Sequence, residues 1–304
     1  MSNPANDALG SIFWGNTLAG GLYGILVMQV VMYFRQRRGV AERRFIKYMV
    51  GMLFLLDTTL TILGCVYLYH TLVLNFGNVD AVKIADWSFT PDGAFTGIIA
   101  GTVQLFYAWR VHVLVGKLYI TVAIVIGALS GTALSIVASV DSMRVPQFSK
   151  WQKILEHPVA AWLAISACTD ILFAVLLVRF LSKRKTGLAA TDGVVDRVIR
   201  NTLQTGLLTA IVAITNMALF LTASNRSSLI LNVPLSKVYN ISFMTLLLHY
   251  GILGTNHLCS EQQDQQLTSI TPYQPSYVYD MPGDSTEMQD LRNSHTRVYS
   301  KPLF

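Results

Sequence analysis

The sequence predicts an all-α membrane protein, a seven-transmembrane-helix bundle with its N-terminus outside and its C-terminus in the cytoplasm. Of 304 residues, 52% are hydrophobic and only 13% are charged, whereas a soluble domain carries about 25% charged residues. Apolar stretches also recur along the chain, most of them about 20 residues long, the length of helix that crosses a hydrocarbon core of about 30 Å. We therefore expect three regions: an extracellular N-terminal segment (1–11), a seven-helix domain (12–255) and a disordered cytoplasmic tail (256–304), which is rich in polar residues.

Two neighbouring spans and the loop between them fix the predicted topology. In Ala161–Leu181 the only charged residue before Arg179 is Asp170. Thr202–Ala223 contains no charged residue. The connecting loop is strongly basic, so the positive-inside rule places it in the cytoplasm. The basic loop after the first span is cytoplasmic by the same rule. This topology places most of the 23 lysines and arginines on the cytoplasmic side. The first span has no basic segment before it, and we expect it to be a retained helix rather than a signal peptide.

The remaining spans follow from this arrangement. The predicted spans, in order, are Ile12–Phe34, Tyr48–Tyr69, Ala94–Tyr107, Leu118–Val140, Ala161–Leu181, Thr202–Ala223 and Val233–Leu253. The loop 141–158 is predicted to lie outside, although its charges fit the rule poorly. Span six is predicted to begin as an amphipathic cytoplasmic extension, and Lys237 is expected at the mouth of span seven. Glycines four residues apart in spans one, three and four either allow close helix packing or reflect the general abundance of glycine in membrane helices.

Two carboxylates are the leading candidates for a functional site. Asp57 and Asp170 each lie near the middle of a span, where an ionised side chain costs about 2.5 to 3.5 kcal/mol and is expected to face the bundle interior. We expect them to share a polar cavity that binds a ligand or an ion, completed by Thr58, Gln104 and Asn216. The alternative hypothesis is a structural hydrogen-bond network that holds the helices together.

Other residues suggest regulation or modification. Arg110 marks the cytoplasmic end of span three and is either a conformational switch or a basic anchor at the membrane surface. Cys259 follows span seven and is a candidate for palmitoylation, and Asn225 begins a glycosylation sequon. The 182–200 loop and the tail are candidate surfaces for a cytoplasmic partner.

Several classes of function are disfavoured by the sequence. Basic residues lie beside apolar spans instead of forming a patch with interleaved aromatics, so nucleic-acid binding is not expected. Histidines and cysteines lack metal-ligand spacing, and no P-loop, HExxH or GxSxG motif occurs. We therefore expect no metal, no cofactor and no catalytic constellation, and the expected partners are the lipid bilayer and a small-molecule ligand.

Several segments resemble an uncharacterised family of fungal multi-span membrane proteins that is abundant in mushroom-forming species, a domain of unknown function. The segments that carry this resemblance are Leu55-Leu56-Asp57-Thr58, Asn75-Phe76-Gly77-Asn78, Val103-Gln104-Leu105-Phe106-Tyr107-Ala108-Trp109-Arg110, Lys185-Thr186-Gly187 with Thr191-Asp192, Ile199-Arg200-Asn201-Thr202, Thr205-Gly206-Leu207-Leu208-Thr209 and Pro234-Leu235-Ser236-Lys237-Val238-Tyr239. The resemblance extends over about residues 12–255 and implies a seven-helix membrane domain. It implies no activity, ligand or cofactor.

Three functional hypotheses follow for this multi-pass protein. Seven spans favour a receptor-like sensor of a small or lipophilic ligand. A small-solute or ion transporter or channel is the alternative, although the internal repeats common in transporters are not visible. An intramembrane enzyme is the least favoured hypothesis, because no nucleophile, base or metal ligands are recognisable. The sequence leaves open whether the protein lies in the plasma membrane or an endomembrane.

Overall fold

In the computed structural model, the chain folds into long α-helices. The structure describes residues 4–36, 44–76, 87–145, 148–183, 189–222 and 230–248. The helices are α1 (Pro4–Gln36), α2 (Arg44–Tyr69), α3 (Asp92–Val115), α4 (Leu118–Arg144), α5 (Phe148–Lys183), α6 (Ala189–Thr222) and α7 (230–248). A π-helical turn, His70–Leu74, continues α2. The described ranges contain no β-strand.

Consecutive helices run in opposite directions. A cavity at one end of the bundle is lined by Asp92, Trp151 and Asn232, which lie near the starts of α3, α5 and α7. Its other walls include Ser142 and Phe220, which lie near the ends of α4 and α6. The early part of α1 and the late part of α2 line a smaller cavity beside it. All seven helices therefore meet at this end of the bundle, which we call the Asp92 end.

The bundle is apolar on its surface, and its interior combines an apolar core with many buried polar side chains. Many large hydrophobic side chains are exposed, including Met28, Leu55, Ile126 and Ile211, whereas polar side chains are buried, among them Asp57, Gln104, Ser135, Asp170, Asn216, Lys237 and Asn240. Four helical segments are long and apolar enough to cross a membrane: Gly10–Arg35, Arg44–Leu74, Leu118–Arg144 and Ile154–Phe180. An apolar exterior and these four helices indicate a membrane-embedded protein.

Glycines in α3 and α4 lie at close helix contacts. Gly97 and Gly101 of α3 face Ser135 and Thr132 of α4, and a methyl group at either glycine would collide with the facing hydroxyl. Thr132 Oγ1 also donates a hydrogen bond of 3.2 Å to Gly97 O. The glycine pair of α4, at 127 and 131, faces α5 instead. The predicted strip at Gly20 and Gly24 of α1 has no neighbouring atom within 4 Å.

The helices extend beyond the predicted spans. α3 begins at Asp92 and ends at Val115, and Gly116 caps it in the left-handed conformation with φ of 69°. α4 continues to Arg144 and α5 already begins at Phe148, so most of the predicted 141–158 loop is helical. α5 also passes through Pro158. α6 begins at Ala189, which confirms that a helical extension precedes the apolar part of span six.

Candidate functional site

Asp57 is fully buried and paired with residues of α7. Its Oδ1 atom lies 3.2 Å from Lys237 Nζ, and both side chains are almost completely inaccessible to solvent. Ser236 Oγ donates to the same oxygen at 2.9 Å, and Asn240 Nδ2 donates to Oδ2 at 2.6 Å. Both carboxylate oxygens are therefore engaged, and the negative charge has a direct cationic partner. Burial of an ion pair is tolerated when such additional hydrogen bonds are present.

Lys237 differs from its expected position. The sequence predicts it at the mouth of span seven, whereas the structure buries it at 2% exposure against Asp57. α7 already has a helical residue at 230, so Lys237 lies about two turns into the helix. The register of α7 against α2 turns its ammonium group inward.

Asp170 lies in a different set of contacts. Gln104 Nε2 donates to Asp170 Oδ1 at 3.1 Å and approaches Ser166 O at 3.4 Å. Thr209 and Tyr239 lie beside the same carboxylate. Asp170 Oδ2 has no well-formed hydrogen bond within the part of the chain that the structure describes. The pairing of Asp170 with Gln104 joins two of the predicted site residues.

The third group of polar residues lines the cavity at the Asp92 end. Asn216 Nδ2 donates to Asn232 Oδ1 at 3.2 Å, and Asn232 Nδ2 donates to Asp92 Oδ2 at 3.2 Å. These residues join α6, α7 and α3 in one hydrogen-bonded chain. The cavity has a volume of about 70 Å³, enough for about five water molecules. The hydroxyl groups of Thr90, Ser139 and Ser142 also line it, and the rest of the wall is mostly aromatic and aliphatic, formed by Phe89, Ala138, Trp151, Leu155, Val159, Trp162 and Phe220.

The Asp92 carboxyl group titrates near neutrality. Burial raises its pKa from 3.8 to about 7, while Lys237 opposes the shift and Asp57 adds to it. Asp92 lies before the predicted span 94–107 and outside the four long apolar helices. A carboxyl group in a cavity that is half ionised at neutral pH is a common feature of binding sites.

Two predicted site residues lie apart from these groups. Thr58 Oγ1 donates to Phe54 O at 2.7 Å and lies 2.9 Å from Tyr23 Oη, so it connects α2 to α1. Arg110 is half-buried, and its Cζ atom lies 5.2 Å from the centroid of the Phe106 ring. Phe106 in turn packs edge-on against Phe243 of α7 with a centroid distance of 5.0 Å. Arg110 therefore contacts an aromatic cluster that joins α3 to α7.

A larger groove on the outer surface is a weaker candidate for a specific site. It lies between α2 and α3 and has a volume of about 1150 Å³. Its walls include Leu55 and Tyr48, which are 66% and 76% exposed. Such a wide groove is lined almost entirely by apolar side chains, whereas the Asp92 cavity places several polar groups around a small volume.

Comparison with known proteins identifies one domain. Residues 166–249 match the model of a family of unknown function, DUF6534. The matched region therefore includes Asp170, Asn216 and Lys237, whereas Gln104 and Asp57, the partners of Asp170 and Lys237, lie outside it. No curated protein and no solved structure matches the chain.

Sequence reasoning missed several residues at these sites. Lys237, Ser236 and Asn240 were not predicted as partners of Asp57, although residues 236 and 240 are four apart and share one helix face. Asp92 precedes the predicted span Ala94–Tyr107 and was not predicted as a site residue, and neither was Asn232. Candidate residues Asn225 and Cys259 lie outside the described residues, as does part of the 182–200 loop. Within the described ranges, no cluster of three or more histidine, cysteine or acidic side chains could hold a metal ion.

Proposed function

We propose that this chain is a seven-span, receptor-like sensor whose small ligand binds in the cavity at the Asp92 end. The supporting observation is the cavity itself, where α3 to α7 converge and a carboxylate, two amides and three hydroxyl groups lie among aromatic and aliphatic side chains. A ligand there touches five helices at once. Any difference in its affinity between two helix arrangements would shift their populations, which is the physical basis of a sensor.

The buried interior offers a route from this cavity to the opposite end. Three residues of α7 belong to these contacts. Asn232 hydrogen-bonds to Asp92 in the cavity, Lys237 forms the buried ion pair with α2, and Phe243 packs in the aromatic cluster next to Arg110. A rotation or shift of α7 would therefore change all three sets of contacts. Arg110 remains the proposed switch residue, because its neighbour Phe106 packs directly on α7.

A cavity-filling variant tests this proposal without knowledge of the ligand. Ala138 lines the cavity and is 5% exposed, whereas the adjacent Val137 faces outward at 48% exposure. Ala138→Phe places a ring in the cavity, and Val137→Phe makes a comparable change on the outer surface. An environment-sensitive fluorophore on a Lys117→Cys variant, in the turn between α3 and α4, reports on the opposite end. We expect Ala138→Phe to shift its emission and Val137→Phe to leave it unchanged. Equal responses would contradict the sensor proposal.

The topology belongs to the same proposal. We infer seven membrane passes, with the N-terminus outside and the C-terminus in the cytoplasm, from the basic loops and the alternating helix directions. Phe76 follows the π-helical turn, lies at the Asp92 end of the bundle and is 88% exposed. Lys117 lies in the turn between α3 and α4, at the opposite end. In intact cells, an impermeant maleimide should label Phe76→Cys and miss Lys117→Cys in a background without native cysteines. Labelling of Lys117→Cys alone would show that the chain has the opposite orientation in the membrane.

The transporter hypothesis has one specific observation in its favour. Buried carboxylates within membrane helices are typical of proton pathways, and Asp170 has an oxygen without a well-formed hydrogen bond in the described structure. Proteoliposomes that contain a pH-sensitive dye would detect proton flux. Flux in the wild type that is lost in Asp170→Asn would favour a transporter, and equal dye traces from protein-containing and empty vesicles would favour the sensor.

A further inference from the structure

The hydroxyl and indole groups around the Asp92 cavity have already used their hydrogen-bond donors. Thr90, Ser139 and Ser142 donate their hydroxyl protons to the backbone carbonyls of Trp87, Thr90 and Ser139, at 3.3, 2.6 and 2.7 Å. Trp151 Nε1 donates to Val145 O at 2.7 Å. The three hydroxyl groups keep only acceptor lone pairs for a molecule in the cavity, and the indole keeps no free hydrogen-bonding group.

The amide chain leaves a further acceptor at the cavity wall. An ionised Asp92 can only accept hydrogen bonds, so Asn232 must present its Nδ2 group to Asp92 and its Oδ1 atom to Asn216. Asn216 then donates through Nδ2, and its own Oδ1 atom has no partner among the described residues, although the side chain is only 1% exposed. Leaving a buried acceptor without a donor is unfavourable, because the group has lost its water and gained no partner. A donor from a bound ligand would remove this cost.

The charges around the cavity also favour a positively charged ligand. Asp57 and Lys237 form an ion pair, and both act electrostatically on Asp92. When Asp92 is ionised, these groups carry two negative charges and one positive charge. One further positive charge in the cavity would balance them. The rings of Phe89 and Trp151, which stack with centroids 6.2 Å apart, belong to the same wall and can stabilise a cation through their π faces.

We infer that the ligand of this cavity is a small organic ammonium ion, held by Asp92 and Asn216 Oδ1 against the aromatic wall. This inference rests on the proposed function, since it names the chemical class of that ligand. The cavity volume of about 70 Å³ corresponds to about five water molecules, so it accommodates a short alkylammonium group. The acceptor groups alone would also suit a metal cation. Aromatic and aliphatic walls favour an ion with an apolar portion.

The test uses alkylammonium chlorides from methylammonium to butylammonium as probes of the full chain in phosphatidylcholine nanodiscs. Thermal unfolding is followed with each probe, with potassium chloride at the same ionic strength, and with the neutral alcohol of the same chain length. We expect the alkylammonium ions to raise the unfolding midpoint in a saturable manner. Potassium chloride and the alcohols should leave it unchanged. An equal shift with potassium or with the alcohols would overturn the inference.

Variants identify the site. Asp92→Asn keeps the hydrogen-bond geometry and removes the charge, so it should weaken alkylammonium binding about tenfold or more, the loss expected for a charge-assisted hydrogen bond. Asp141→Asn makes the same chemical change at a residue of α4 that pairs with Arg144 and does not line the cavity. It should bind like the wild type. Equal affinities of Asp92→Asn and the wild type would overturn the inference.

A second variant and a pH comparison test the same inference independently of Asp92→Asn. If Asp92→Asn fails to fold, Phe89→Leu should weaken alkylammonium binding through loss of the aromatic face, and unchanged binding would count against the inference. Binding to the wild type should also be tighter at pH 8 than at pH 5.5, because Asp92 is then ionised. The fluorescence experiment with Ala138→Phe involves no ligand. A sensor response there without alkylammonium binding would refute the ligand class and leave the sensor proposal intact.

Discussion

Asp57 and Asp170 occupy similar positions in the sequence, near the middle of an apolar span, and their surroundings differ. Asp57 has a cation and two donors, which engage both carboxylate oxygens. Asp170 has one donor of good geometry, from Gln104, and its Oδ2 atom lacks one in the described structure. Burial alone therefore does not separate a structural carboxylate from a reactive one. The number and charge of the donors do, because a fully paired carboxylate has little left to offer a ligand or proton.

The Asp57 pair should show the largest effect of any single change. Lys237→Met removes the cation and leaves a buried carboxylate without charge compensation, so we expect a loss of about 3 to 5 kcal/mol in the free energy of unfolding. The double variant Asp57→Asn/Lys237→Met removes both charges and should recover most of this loss. Reversible unfolding in mixed micelles measures the difference. A single variant as stable as the double variant would show that Lys237 does not compensate Asp57.

The sequence predicted the burial of both aspartates, because a carboxylate in hydrocarbon is costly wherever its helix packs. The exposed fractions of Asp57 and Asp170 are 0% and 2%, which confirms that part. Their partners were not predictable in the same way. Whether Lys237 faces Asp57 depends on the rotation and axial position of α7 against α2, and those are set by the packing of the whole bundle.

The same limitation explains the missed cavity. Asp92 follows a stretch of mixed polarity and precedes an apolar helix, a position that is usually solvated. The sequence identified Asn216 as a polar residue within span six. It could not show that Asn216 and Asp92 both hydrogen-bond to Asn232, since Asp92 lies 140 residues before Asn232 in the chain and their contact depends on the packing of α3 against α7.

The Asp170 pair should show a smaller effect than the Asp57 pair. Gln104→Leu removes the donor to Asp170 Oδ1 and should destabilise the protein by about 1 to 3 kcal/mol, the cost of leaving a buried polar group unsatisfied. Gln29→Leu is a matched control, because Gln29 Nε2 donates to the neutral Thr245 Oγ1 at 3.0 Å. It should cost less than Gln104→Leu. Equal losses would indicate that the charge of Asp170 adds nothing to its hydrogen bond.

Asp92, unlike the two aspartates in the middle of spans, is expected to make the free energy of unfolding depend on pH near neutrality. Because burial raises its pKa from 3.8 to about 7, the folded state binds a proton that the unfolded state has released between these values. The resulting stability is complete below about pH 4 and is lost progressively as the pH rises to about 7, with a slope of at most about 1.4 kcal/mol per pH unit for one proton. Unfolding curves from pH 5 to pH 8 should show this fall in the wild type and a weaker one in Asp92→Asn. Parallel curves would refute the assignment to Asp92.

The smallest expected effect is the coupling between the two aspartates. The sequence suggested one shared cavity, whereas the structure gives each carboxylate its own hydrogen-bond partners. Asp57 is paired with Ser236, Lys237 and Asn240. Asp170 is paired with Gln104, and the residue of α7 beside it is Tyr239.

At about 100° per residue, positions 236, 237 and 240 of α7 span about 100° around the helix axis, and position 239 lies about 60° from residue 236 in the opposite direction from residue 237. The two carboxylates thus contact adjacent sectors of the same helix. Sites without shared partners usually combine additively within about 0.3 to 0.5 kcal/mol. We therefore expect Asp57→Asn and Asp170→Asn to add within that range in a double-mutant cycle. A coupling energy well above 0.5 kcal/mol would show that α7 transmits changes between its two faces, and it would restore a single shared site as the better description.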